Sequence, residues 1–300
     1  MAAERITPLR GRLLSRVRLA PYTSWHVWGP ADRLFEPENR GDLLAFIAQQ
    51  PADEPSLWIG LGSNLLVRDG GFRGTAIVLY GALEAYSRDS ATTLRAEAGV
   101  HCARLAKLAE RERLAGLGFM AGIPGTIGGA LAMNAGAWGG ETWGAVQEAE
   151  VLYADGSTAW LTPEHFGIAY RVVIPPPDFR GFLGARFRVT ADDGSDALRT
   201  RESLAQRKAT QPVGKPSGGS TFRNPPGDHA ARLIEACGLK GHRIGGAVVS
   251  TQHANFIINE GNASAADIEA LIEDIRAVVH EHTGVTLEPE VRIVGETGHA

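Results

Sequence analysis

An α+β fold is what this sequence predicts, on three observations. Short alternating apolar runs bounded by glycine and proline mark strands, longer stretches with one apolar face mark helices, and 300 residues exceed what one small core needs. Apolar content of 44% and charged content of 21% are those of an ordinary globular protein. A formal net charge of −4 without any basic block speaks against a nucleic-acid surface. Cys102 and Cys237 stand far apart and form no CxxC pair, which excludes a disulfide scaffold or a cysteine-rich zinc site and suits a cytoplasmic location. The opening "MAAERITPLRGRLLSRVRLA" is too interrupted by charge for a signal peptide, and no apolar run reaches the roughly 18 residues of a membrane span.

The elements follow in order. Residues 42–50 read as a helix stopped by Pro51. Residues 57–59 and 76–79 read as short strands around the glycine turns of "PSLWIGLGSNLLVRDGGFRGTAIVLYG". Residues 92–100 alternate like a strand, and 101–118 follow as a helix with Leu105, Leu108 and Ala109 on one face. Residues 149–162 carry a hairpin signal turning at Asp155-Gly156, and a proline run at 175–177 precedes a strand over 182–190. The polar connector "ADDGSD" (191–196) marks a candidate domain boundary, followed by a helix that stops near Pro212. Ser264 with Asp267 signals a helix start, Ile268, Leu271, Ile272, Ile275 and Val279 form its apolar stripe, and Gly284 closes it. The last strand, "GVTLEPEVRIVG", puts Val285, Leu287, Val291 and Ile293 on one face. Glu288, Glu290 and Arg292 share the other, with Pro289 marking an edge or bulge.

The stretch "AGIPGTIGGALAMNAGAWGGET" (121–142) holds seven glycines, each costly to order. It is too apolar for a flexible linker, with Ile123, Ile127, Leu131, Met133 and Trp138. A tight corner or a ligand cradle remains. A second glycine turn, Gly60-Leu61-Gly62, lacks the third glycine of a dinucleotide fingerprint, because Leu65 stands there. Gly62-Ser63-Asn64 nevertheless offers consecutive N–H groups as an anion nest, and "GIPGTIGGA" offers a second set with the Thr126 hydroxyl. Two such turns in apolar surroundings suit a ligand with a diphosphate and large flat rings, with Asn134 able to bond ring or ribose groups.

Taken together, "GLGSNLLVRDGGFRGTAIVL", "GIPGTIGGALAMNAGA", "GGSTFRNP", "IGGAVVSTQHANFIIN" and "LEPEVRIVG" resemble, in order, the UDP-N-acetylenolpyruvoylglucosamine reductase (MurB) family from about Thr23 to Gly295. The resemblance implies FAD held between two lobes of the vanillyl-alcohol-oxidase type, 1–82 with 266–300 and 83–195, and a substrate-binding domain at 196–265. It implies hydride from NADPH, passed through flavin to the enolpyruvyl double bond of UDP-N-acetylglucosamine-enolpyruvate to give UDP-N-acetylmuramate. The cofactor would be bound by Gly60, Gly62, Ser63, Asn64, Leu65, Gly122, Ile123, Pro124, Gly125, Thr126, Gly128, Gly129, Ala130, Asn134 and Gly136.

By the same resemblance Ser220 donates the proton, Arg171 stabilises the enolate, and Glu290 polarises or positions near it. Tyr170, Arg223 and Asn224 would touch substrate. The chain departs from the family pattern at Val173, where a hydroxyl residue is usual, at Arg223, where lysine is, and at His26 and Trp28 in "TSWHVWGP". His280 and His282 have no ligand spacing, so no catalytic metal is expected, and the chain is expected to act as a monomer without nucleic-acid or membrane partners. Two rivals are a flavin oxidase of a small alcohol or sugar, for which His101 is the nearby attachment candidate, and an inactive nucleotide- or flavin-binding protein. The oxidase leaves "GGSTFRNP" unexplained, and the inactive binder would keep the glycine motifs but degrade the acid, whereas Ser220, Arg171 and Glu290 are all present.

Overall fold

The computed structural model describes residues 8–51 and 53–298; the first seven residues of the stretch read for a leader lie outside them. Contacts divide the chain into two units, Met1–Leu14 with Arg33–Gly60 and Thr75–Leu204, and Ser15–Asp32 with Leu61–Gly74 and Ala205–Ala300.

In the first unit, alternation builds an antiparallel sheet in the order Thr158–Leu161, Val146–Tyr153, Phe179–Arg188, Thr93–Glu97, Tyr86–Arg88. The expected hairpin turns at Gly156, φ 81°, with the Asp155 carboxylate accepting the Ser157 N–H at 2.9 Å. Leu105 and Leu108 of helix Cys102–Arg111, with Ile127 and Leu131 of helix Ile127–Ala132, join Leu94, Val151 and Phe187 in one core. A second core gathers around helix Arg40–Gln49, where Phe35 and Phe46 stack at 4.2 Å. Beneath that helix Asp42 accepts N–H bonds from Arg10, Gly11 and Glu38 at 2.8, 2.7 and 3.0 Å. Burial opposes its ionisation, but the three N–H groups together hold the carboxyl below its ordinary range.

The polar connector at 191–196 is not a packing boundary. Asp192 and Asp193 accept the N–H groups of Asp196 and Ser195 and so start helix Ser195–Thr210, while Asp196 takes the N–H groups of Gly116 and Gly118. The division between units falls inside that helix, at 204/205.

In the second unit, Ser264 and Asp267 form the expected capping box of helix Ala265–Thr283, and Gly284 ends it at φ 72°. All five stripe residues are fully buried. They share one core with helix Ala230–Ala236, the sheet Arg243–Ile244, Ala247–Val249, Ile257–Asn259, and with Trp25, Val27 and Leu66. Packing therefore does not separate 196–265 from 266–300 as the sequence boundaries do. The last strand is also shorter than alternation predicts. Leu287 and Val291 are buried, but only Arg292–Val294 is strand, parallel to Leu65–Val67. Pro289 has no N–H to extend that ladder, and residues 288–290 pair elsewhere. Among the described residues no helix is long and apolar enough to cross a membrane.

Candidate active site

Gly60, the first residue of the second glycine turn, meets the 121–142 stretch within the first unit. A Cβ on Gly60, after strand Ser56–Ile59, would lie 2.2 Å from Thr126 Oγ1. Ile123 is in the core, Pro124 is exposed, and Gly125 and Thr126 are buried. Thr126 caps helix Ile127–Ala132, accepting the Gly129 N–H at 3.5 Å. The Ile127 and Gly128 N–H groups donate to Val100 O and Ala98 O at 2.8 Å each, so the first turn of the helix is spent on protein. The N–H groups of Gly125 and Thr126, by contrast, meet no acceptor among the described residues. Buried orphaned amides are rare, and this pair fits an anionic ligand oxygen.

Most glycines here answer to packing instead. A Cβ on Gly122, Gly128 or Gly136 would lie 2.7 Å from Ala137 Cβ, 2.9 Å from Ala98 Cβ and 2.3 Å from Gly140 O. Steric exclusion accounts for these three, whereas the open amides are those of Gly125 and Thr126. Gly129 is exposed, and Ala130 is buried on the core side of the helix.

Asn134 differs from its expected part. It is 1% exposed, and its Nδ2 donates to Glu141 at 2.9 Å and to Ala169 O at 3.2 Å, while Oδ1 accepts the Trp143 N–H at 3.1 Å. Both amide hydrogens are spent inside the unit, so its side chain organises the loop. Arg171, at φ 58°, lies on the tip between strands Gly167–Ala169 and Val172–Ile174. Its Nη atoms donate to Asn134 O and Gly136 O at 3.0 and 3.1 Å, and its guanidinium lies 5.0 Å from the ring centre of Tyr170, itself 45% exposed. Val173 faces Ile168 across the hairpin. His101 stands opposite Thr126, edge-on to Tyr80; burial, then Arg104, hold its pKa below the usual histidine value.

In the second unit Gly62 turns at φ 59°, where a Cβ would lie 2.1 Å from Tyr22 O. The N–H groups of Gly62 and Ser63 meet no acceptor among the described residues, and neither does the buried Thr23 hydroxyl beside them. These orphaned groups also fit a diphosphate-bearing cofactor. His26, at φ 56°, turns its ring to Ala20 O, and exposed Trp28 lies under the Arg18 guanidinium at 4.2 Å.

The serine and glutamate segments are paired in this unit. Gly219 turns at φ 77° and presents Ser220, partly exposed, with no hydrogen bond to its hydroxyl among the described residues. Phe222 bridges Pro289: Arg223 N donates to Glu288 O at 2.9 Å, and Glu290 N donates to Thr221 O at 2.8 Å. Asn64 joins the same ladder, its Nδ2 donating to Glu290 O and its own carbonyl accepting Arg292 N–H, both at 3.0 Å. Leu65 follows as the first residue of the paired strand. Arg223 lies 3.7 Å from Glu288, and Asn224 Oδ1 accepts the Ala230 N–H at 3.1 Å, which leaves its amide nitrogen for a ligand. Sequence reasoning missed Asn255, whose side chain takes both backbone groups of Phe222. The quoted "HANF" held it, but nothing local signals a bond across 33 residues. Among the described residues no cluster of three or more His, Cys, Asp or Glu could hold a metal.

The profile of the UDP-N-acetylenolpyruvoylglucosamine reductase C-terminal domain matches residues 211–294, and that of an FAD binding domain matches 31–162. The UDP-N-acetylenolpyruvoylglucosamine reductase of Alkalilimnicola ehrlichii is 54% identical over 99% of both chains. That of Methylococcus capsulatus is 50% identical over 98% of this chain and 97% of its own. The crystal structure of the reductase from Thermus caldophilus superposes with a TM-score of 0.78 at 35% identity, covering 94% of this chain and 99% of that one.

Proposed function

The chain belongs to the UDP-N-acetylenolpyruvoylglucosamine reductase family, and on that premise we propose how its own residues divide the work. It is an FAD-dependent oxidoreductase that uses NADPH to reduce the enolpyruvyl group of UDP-N-acetylglucosamine-enolpyruvate to UDP-N-acetylmuramate, a step of peptidoglycan synthesis. The chemistry supplied by bound FAD would be hydride transfer from NADPH to the terminal carbon of the enol ether. The orphaned amides of Gly125 and Thr126 in the first unit would hold the diphosphate of FAD.

Arg171 meets the substrate carboxylate, whose charge grows as hydride arrives, and its guanidinium keeps its own charge throughout. Ser220 delivers its hydroxyl proton to the carbon beside that carboxylate. Serine is a weak acid in water, but a carbanion-like centre is basic enough to take its proton. Glu290, on the ladder through Thr221, polarises the serine and holds the proton path. Tyr170, Arg223 and the free amide nitrogen of Asn224 contact the substrate beyond its reacting carbons. The work is done by one chain in the cytoplasm.

The observation that carries the residue assignment is the pairing of 221–223 with 288–290, which ties the serine segment to the glutamate segment. Anaerobic reoxidation of the NADPH-reduced protein by UDP-N-acetylglucosamine-enolpyruvate tests the whole reading. The expected result is rapid return of the oxidised-flavin spectrum with stoichiometric UDP-N-acetylmuramate. Bound flavin that recovers only with oxygen overturns it in favour of an oxidase.

A further inference from the structure

We propose that Asn255 is a positioning residue for proton delivery: its side chain fixes the backbone of 221–222, and through it the spacing of Ser220 from Glu290. The inference rests on reading Ser220 as the proton donor. Asn255 is 4% exposed and lies in the loop between strands Ala247–Val249 and Ile257–Asn259. Its Oδ1 accepts the Phe222 N–H at 2.9 Å and its Nδ2 donates to Phe222 O at 2.8 Å. A primary amide carries one acceptor and one donor group in a plane, as a peptide does, so it stands in for a neighbouring strand where there is none. The main chain of Asn255 makes a third bond, its carbonyl accepting the Thr221 N–H at 2.8 Å.

Thr221 then passes the constraint on, because its carbonyl accepts the Glu290 N–H at 2.8 Å. Asn255, Thr221 and Glu290 form one hydrogen-bonded row, and the asparagine side chain locks the next residue of that row. Ser220 directly precedes Thr221 and follows a glycine at φ 77° with no atom within 4 Å of the position its Cβ would take. The serine is thus free on its N-terminal side and held on its C-terminal side, so its aim depends on how firmly 221–222 is gripped. Both polar atoms of the Asn255 side chain are spent on Phe222, so it acts through the backbone and not on the reacting atoms.

The test uses the full flavin-bound chain with Asn255→Ala, Asn255→Asp and, in parallel, Ser220→Ala. Two anaerobic half-reactions are timed, flavin reduction by NADPH and reoxidation by UDP-N-acetylglucosamine-enolpyruvate, the second also in deuterium oxide. Asn255→Ala is expected to slow reoxidation by about tenfold or more, as misplaced groups do, with a larger solvent isotope effect and NADPH reduction within about twofold. Asn255→Asp, which keeps the acceptor for the Phe222 N–H, falls between. Unchanged reoxidation, or equal slowing of both half-reactions, overturns the proposal. If the alanine variant does not fold, the aspartate variant decides by the same criteria. Full-rate reoxidation by Ser220→Ala would sink the serine assignment and the proposal with it. Loss in Ser220→Ala beside unaffected Asn255 variants overturns the proposal alone.

Discussion

Each unit holds one side chain proposed to react and one buried asparagine, but the two asparagines work on different backbones. Asn134 sits at φ 46° and binds Glu141, Trp143 and Ala169 around itself, within a region where Trp138 and Arg171 also have positive φ. Asn255 reaches across 33 residues to one residue, Phe222, and the positive φ beside Ser220 belongs to Gly219. Around Arg171, residues with side chains carry a conformation that costs about 1–3 kcal/mol apiece, and the surrounding bonds must hold them there. Around Ser220, glycine takes the turn without that cost, and the ladder supplies the order. The arginine is set by an over-determined loop, the serine by a clamp on one side.

The largest effect that sharpens this contrast is chemical. Ser220→Ala is expected to lower substrate-driven reoxidation by about a thousandfold while leaving NADPH reduction of the flavin nearly intact, as removal of a proton donor predicts. Equal loss in both half-reactions, followed by stopped-flow absorbance, would make Ser220 structural and break the comparison.

Next comes stability. Asn134→Ala removes both amide partners from buried groups and leaves alanine at positive φ, so chemical denaturation is expected to show a loss of about 3 kcal/mol. Asn134→Gly, which accepts the same φ, is expected to recover part of it; no recovery would mean that strain plays no part.

Smaller again is the acid response of the first unit. The folded pKa of Asp42 is lowered, so its stabilisation is present above the unfolded pKa and lost as pH falls through the folded one. Asp42→Asn is expected to cost about 1 kcal/mol at neutral pH and to flatten the stability profile below about pH 4. A variant with the wild-type acid limb would contradict this. The smallest effect is a gain. Thr221 is fully buried with its hydroxyl unpartnered among the described residues, so Thr221→Val is expected to add about 1 kcal/mol. A loss of stability would show that the hydroxyl is satisfied.

Periodicity revealed the helix from Ser264 to Gly284 nearly residue by residue, since cap, stripe and closing glycine are all local. It overran the last strand, because Pro289 diverts 288–290 to residues more than sixty positions earlier. The connector at 191–196 looked like a boundary since its acids are polar, yet they are the caps of a helix. Motif resemblance singled out Ser220, Arg171 and Glu290 as candidates, while the hydrogen-bond partners of Asn134 and Asn255 stayed hidden. A buried amide declares its partners only once distant backbone groups are left without neighbours. The glycines were legible as a class but not by purpose, because steric exclusion and open amides look the same in a sequence.

The order of segments along the chain sets a timetable for synthesis. Every segment of the first unit has been made by residue 204, so that unit has all its parts well before the ribosome finishes. Trp25, Val27 and Leu66 belong to a core whose other members run from Phe222 to Val291. At translation rates of roughly 5–20 residues per second, those three apolar side chains wait on the order of ten to fifty seconds for their neighbours. The nascent chain therefore passes through a long interval with one half complete and an early tryptophan uncovered, an interval in which a chaperone has something definite to shield.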